Sequence, residues 1–119
     1  MKIIICDDEK LIRTSLVRYF EKQNILVQSA ENGAELVLLL QNFQPDCIFL
    51  DLFMPEMSGF EVLDQNIINC PVIVMTAFSG DDDDVDILKK YPRVKSILKK
   101  PFENFDILSD TLKEITSVV

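Results

Sequence analysis

Histidine is missing from all 119 residues. Its absence removes the commonest general base, the commonest metal ligand and any phosphohistidine the chain could carry itself. Chemistry is left to carboxylates, hydroxyls and lysines. Basic residues are outnumbered, with twelve Lys and Arg against twenty Asp and Glu for a net charge of -8. Direct binding of a nucleic-acid phosphate backbone by this domain is therefore not expected. Cysteines number only three, and Cys6, Cys47 and Cys70 each lie in or beside an apolar, strand-like segment. That is the placing of reduced core thiols, not of a disulfide framework or a metal site. No apolar stretch is long enough to span a membrane, and Met1-Lys2 leads straight into Ile3-Ile4-Ile5, too short for a signal peptide. The expectation is a cytoplasmic protein with no membrane partner. The length suits one domain, 1–119, that buries about two-thirds of its unfolded surface.

The chain is organised around Cys47-Ile48-Phe49-Leu50-Asp51, followed at once by a loop containing Pro55 and Gly59. A short apolar run bounded by turn signals reads as a strand buried on both faces, with Asp51 where the strand leaves the core. Before it come a strand over 2–6, a helix over 9–23 with Leu11, Ile12, Leu16, Tyr19 and Phe20 inward, a strand over 25–29, a turn at 31–33 and a helix over 34–43. The unbroken apolar stretch from Leu36 to Leu40 predicts deep packing of that second helix. After it come a short helix over 60–66, a strand over 71–75 carrying Thr76 at its end, and a turn at Ser79-Gly80. The run Asp81 to Asp84 reads as a solvated helix start, and Lys89-Lys90 close that helix; both suit the macrodipole. A strand over 94–98, a turn at 99–102 and a helix over 104–116 complete the chain. Five strands alternating with five helices through short connections predict an α/β fold, a doubly wound parallel sheet with helices on both faces.

In a parallel sheet every C-terminal strand end lies along one edge. Asp7 and Asp8, Asp51, Thr76 and Lys99-Lys100 therefore reach a single rim from four strands. Clustered carboxylates repel one another unless a cation joins them. Oxygen-only ligands suit Mg2+, which takes a few carboxylates and a carbonyl and keeps its remaining waters. A carboxylate beside such an ion can act as a nucleophile toward phosphorus, with a lysine and a hydroxyl assisting the charge on the transferred oxygens.

On these residues the chain resembles the receiver domains of two-component response regulators. The resemblance rests on Asp7-Asp8, on Asp51-Leu52-Phe53-Met54-Pro55 with Gly59 after it, on Met75-Thr76-Ala77 and on Lys100-Pro101-Phe102, and it covers essentially the whole chain. It implies a flavodoxin-like sheet with strand order 2-1-3-4-5. It implies Asp51 as phosphoacceptor, Asp7, Asp8, Asp51 and the Phe53 main-chain carbonyl as Mg2+ ligands, Thr76 as the hydroxyl on the phosphoryl group and Lys100 as its lysine. A sensor histidine kinase or a histidine phosphotransfer protein is the implied donor. The fourth helix, fifth strand and fifth helix are where receivers commonly dimerise or meet effectors. Such a domain is no enzyme beyond promoting its own phosphorylation and dephosphorylation.

Two positions depart from the family pattern. Three residues before Lys100, where an aromatic is usual, stands Ile97, so the expectation is a switch carried by Thr76 and the following loop with only a small repacking of Ile97. Phe53 and Phe78 make an apolar rim where polar residues are common, which predicts a long-lived phosphorylated form. Haloacid-dehalogenase-type phosphatases also combine an aspartate, Mg2+, a hydroxyl and a lysine. They need a second aspartate two residues after the nucleophile, and Phe53 stands there. A flavodoxin would need a hydroxyl- and glycine-rich phosphate loop where Asp7-Asp8-Glu9 stands. A receiver kept only as an interaction scaffold would have lost site residues that are all present.

Overall fold

The structure is a computed structural model that describes residues 1–77 and 80–117, with Asp81 described by its backbone alone. Elements run in the order β1 (Lys2–Cys6), α1 (Lys10–Glu21), β2 (Leu26–Ala30), α2 (Gly33–Leu40), β3 (Cys47–Asp51), α3 (Gly59–Asp64), β4 (Val72–Thr76), α4 (Asp81–Lys90), β5 (Val94–Lys99) and α5 (Asp106–Thr116). All strand pairs are parallel and the sheet order is β2-β1-β3-β4-β5, as expected.

Alternation along each strand divides the core in two. Ile4, Cys6, Ile48, Leu50, Val72 and Val74 pack with Leu36, Val62 and Ile87 on one face of the sheet. Ile3, Ile5, Cys47, Phe49, Ile73 and Met75 pack with Leu16, Phe20, Leu108 and Leu112 on the other. β3 and β4 are buried at every position, which is why their sequences carry no polar alternation. Each face has a tyrosine clip. Tyr19 on α1 donates 2.7 Å to Asp106 on α5, and Tyr91 after α4 donates 2.7 Å to Asp64 on α3. All three cysteines are free and buried; burial pushes the Cys47 thiol up to about 12 and Cys70 to about 11.

Several expected details differ, each for a local reason. Leu11 is 80% exposed, because it lies on the outer side of the helical stripe set by Leu16 and Phe20. Within Leu36–Leu40 only Leu36 is fully buried, and Leu38 is 61% exposed, because a helix turning 3.6 residues per turn cannot bury consecutive side chains against one sheet. α2 starts one residue early because Asn32 caps it, accepting 2.9 Å from the Glu35 amide, and it stops at Leu40, not at 43. α5 begins at Asp106, since the Asn104 side chain accepts from the Asp106 amide at 2.9 Å and holds a turn there. β2 sits one residue later than expected, and Ser79 of the expected turn lies outside the described residues.

Gly59 opens α3 directly beneath the site strand. A β-carbon there would run into the Asp51 carbonyl and come within 2.9 Å of Leu52 Cα, backbone atoms that cannot rotate away. The loop after Asp51 can return this closely only with glycine, and the Gly59 amide donates 3.0 Å to the Leu52 carbonyl. Gly80 faces open space. Gly59→Ala is expected to cost about 2 kcal/mol or more in urea unfolding, while Gly80→Ala stays within about 0.5 kcal/mol of wild type. Equal midpoints for the two variants would contradict this account of the loop.

Candidate functional site

β1 and β3 are neighbours, paired from Ile3↔Cys47 to Cys6↔Leu50, so the next residues on each chain path, Asp7 just after β1 and Asp51 at the end of β3, emerge side by side. Both are buried, Asp7 at 0% and Asp51 at 5% exposure, whereas Asp8 is exposed. Oxygens of Asp7, Asp8 and Asp51 lie within 4.8 Å of one another. Lys100, in the turn after β5, reaches into the group: its Nζ is 2.6 Å from Asp7 Oδ2, 3.2 Å from Asp51 Oδ2 and 3.4 Å from Glu9 Oε1. Asp7 Oδ2 meets no donor in good alignment among the described residues, so charge and not a directed bond satisfies it. Its other oxygen accepts 2.9 Å from the Glu9 amide, and Asp51 Oδ1 accepts 3.1 Å from the Phe53 amide.

Burial pushes the Asp51 carboxyl up to about 6, against the pull of the Phe53 amide and the Lys100 ammonium, with Asp7 adding repulsion. Burial likewise raises Asp7 despite Lys100. For Lys100, burial alone would lower the value, but the close carboxylate of Asp7, joined by Asp51, outweighs it and holds the ammonium above its usual range. Asp7, Glu9 and Asp51 thus share the Lys100 ammonium with Asp8 beside them, and among the described residues here acids outnumber the paired cation. Hard oxygen donors, excess negative charge and a buried carboxylate oxygen without an aligned donor are what a divalent cation such as Mg2+ would meet. The donor set fits such an ion.

Thr76 arrives by register. It ends β4, fully buried, between β3 and β5, and its carbonyl accepts 2.9 Å from the Lys100 amide. This bond ties the lysine's backbone to the strand next to Asp51.

A profile of the response regulator receiver domain family matches residues 3–112. The chain is a response-regulator receiver domain. It is 35% identical over 107 residues to the chemotaxis protein CheY of Listeria monocytogenes, covering 87% of this chain and 88% of that one. It is 37% identical over 84 residues to the transcriptional regulatory protein YdfI of Bacillus subtilis, and there it spans 39% of the relative's length. Among solved structures, a two-component response regulator from Clostridium difficile superposes with TM-score 0.87 at 26% identity, covering 97% of this chain and 94% of that one. The response regulator TrrA of Thermotoga maritima, solved in complex with Mg(2+)-BeF, does so with TM-score 0.79 at 28% identity, over 96% and 97% of the two chains.

Sequence reasoning about this receiver missed two contributors. Glu9, read as part of a helix start, is a third acid on Lys100. Arg13, one turn into α1, donates 2.8 Å to the Asp7 carbonyl and sits 3.9 Å from Glu31, bracing the β1 end from outside. The helical spacing of Glu9 and Arg13 was the available signal. Asp84, expected to be a solvated acid, instead pairs with Lys99 at 2.8 Å. Ile97 is partly buried against the core face that holds Ile87, Tyr91 and Val94. Phe53 is half exposed, edge-on to Phe60 at 5.7 Å; Phe78 lies outside the described residues.

The raised Asp51 carboxyl has a consequence for stability. The folded state holds this proton up to about pH 6 and the unfolded state only to 3.8, so the folded form binds more protons between those values. Asp51 therefore costs stability as pH rises through that window, by at most about 3 kcal/mol once it is complete. In metal-free buffer at pH 7.5, Asp51→Asn should melt several degrees, at most about 12 °C, above wild type, and the gap should narrow as pH falls toward 4.5. A lower midpoint for the variant at pH 7.5 would show that the charge is stabilising.

Proposed function

We propose that this receiver takes a phosphoryl group on Asp51 from a sensor histidine kinase or histidine phosphotransfer protein, in a Mg2+-dependent reaction, and so switches its interactions with partners. The domain is taken as the whole of 1–119, working in the cytoplasm; among the described residues no helix is long and apolar enough to cross a membrane. The observation that carries the reading is the convergence of Asp7, Asp8 and Asp51 oxygens within 4.8 Å with the Lys100 ammonium on two of them.

A carboxylate pushed up to about 6 is ionised at neutral pH and still basic enough to attack phosphorus. An Asp51 oxygen forms the new O–P bond while the P–N bond to the donor imidazole breaks, and the imidazole leaves with the electron pair. Asp7, Asp8, Asp51 and the Phe53 carbonyl would hold Mg2+, which supplies positive charge for the phosphoryl oxygens. Lys100 adds the second positive charge, and the Thr76 hydroxyl is assigned to a third oxygen. Mg2+ in the TrrA complex supports the metal assignment for this close structural neighbour.

The added charge of about -2 then favours a different arrangement of the chain after Thr76, with Ile97 repacking slightly beneath it. An output surface, or a homodimer, on α4, β5 and α5 follows from the family reading.

Incubation with Mg2+ and a small acyl phosphate, read by intact mass, tests the assignment. A single phosphoryl adduct is expected on wild type and none on Asp51→Asn or without Mg2+. An equal adduct on the variant moves the acceptor elsewhere. Shielding by Phe53 is tested separately: Phe53→Asn should shorten the lifetime of the adduct several-fold, and an unchanged or longer lifetime refutes the apolar rim as a barrier to water.

A further inference from the structure

We propose that the cleft between α3 and α4 is a docking site for an arginine-bearing apolar segment of a partner protein. The cleft is a cavity of about 480 Å³, within the size range of ligand pockets. Leu52 and Ile87, nearly buried, close it from inside. Phe53 and Phe60 line it with rings set edge-to-face at 78°, and Phe53 is 50% exposed. Asp83 and Asp86 of α4 line it as well, three residues apart and so on one helix face.

Charge selects the occupant. Asp84 on the same helix is held by Lys99, but among the described residues no Lys or Arg pairs with Asp83 or Asp86. A pocket with aromatic walls and two carboxylates rejects anions and leaves a purely apolar ligand with desolvated acids. A guanidinium answers both features, since it stacks on an aromatic face and bonds carboxylates in its plane, and it sheds water more readily than an ammonium. An apolar neighbour on the same segment would cover Phe53. The net charge of -8 steers basic partners toward the domain in general, and the cleft gives them a seat.

The site also touches the rim of the acidic cluster. The Phe53 amide donates to Asp51 at 3.1 Å, so an occupant that holds Phe53 is thermodynamically coupled to whatever Asp51 carries. Only this last consequence rests on the phosphorylation reading; docking itself does not.

The test uses the full chain, metal-free and without a phosphoryl donor, titrated with N-acetyl-leucyl-arginine amide and followed by backbone amide chemical shifts. Saturating shifts are expected at Phe53, Phe60, Asp83, Asp86 and Ile87. The peptide with citrulline in place of arginine, the same shape without the charge, should bind about tenfold more weakly. Asp83→Asn with Asp86→Asn should lose the same factor. Phe53→Leu, which leaves α4 untouched, should weaken the arginine peptide several-fold. Equal binding of the two peptides, unchanged binding in either variant, or non-saturating shifts scattered over the acidic surface would overturn the proposal. Any of these leaves the Asp51 adduct experiment unaffected.

Discussion

One ammonium group is shared by the acids at the C-terminal edge of the sheet. Lys100 Nζ, buried with only 7% of its side chain exposed, lies 2.6 Å from Asp7 and 3.2 Å from Asp51 and so joins the ends of β1 and β3 to the turn after β5. Pair energies of this kind are partly cancelled by the cost of burying both charges. The raised carboxyls of Asp7 and Asp51 show that desolvation wins over attraction here, even with the lysine in place. The sheet, not the ion pair, therefore keeps the acids together. Ladders from β2 to β5 and two continuous apolar layers supply the rigidity against which the charge cluster is held. Functional residues held on rigid elements at the expense of local stability are the usual trade at a working site.

The strand order makes this arrangement unavoidable once the sequence is read as a parallel sheet. β1 and β3 sit in the middle, each adding an acid just where its apolar run ends, and β4 follows with Thr76. The successive lysines at the end of β5 then separate by alternation. Lys99 turns to Asp84 on α4, and Lys100 turns to the acids. Nothing in the composition of a Lys-Lys pair distinguishes them. Their places one residue apart at a strand end do, because neighbouring side chains point to opposite sides.

The strands and the rim were legible in the sequence because they depend on runs of Ile, Val, Phe and Leu that end abruptly in Asp, Thr or Lys. Packing of the helices was less so. Leu11 and Leu38 look like core residues by type, and only the phase of the helix, fixed by contacts made elsewhere in the chain, turns them outward. Asn104 belonged to a turn because its side chain competes for a backbone amide, a choice that periodicity does not record. Glu9 entered the site through the depth of Lys100, and Arg13 through a main-chain carbonyl, and neither contact has a sequence signature beyond spacing.

Phe53 belongs to both the acidic cluster and the cleft. Its amide belongs to the acidic cluster and its ring belongs to the cleft, where it meets Phe60, which in turn lies 6.3 Å from Tyr91 at the end of α4. Ile97, partly buried against the core, offers neither a ring nor a hydroxyl. An aromatic series on the α3 side is present instead, running from the residue beside Asp51 to the tyrosine clipped to Asp64. Phe53 meets Phe60 edge-to-face at 78°, and Phe60 meets Tyr91 tilted at 43°. A series of ring contacts thus links the loop after Asp51 to the C-terminal end of α4 without passing through Ile97.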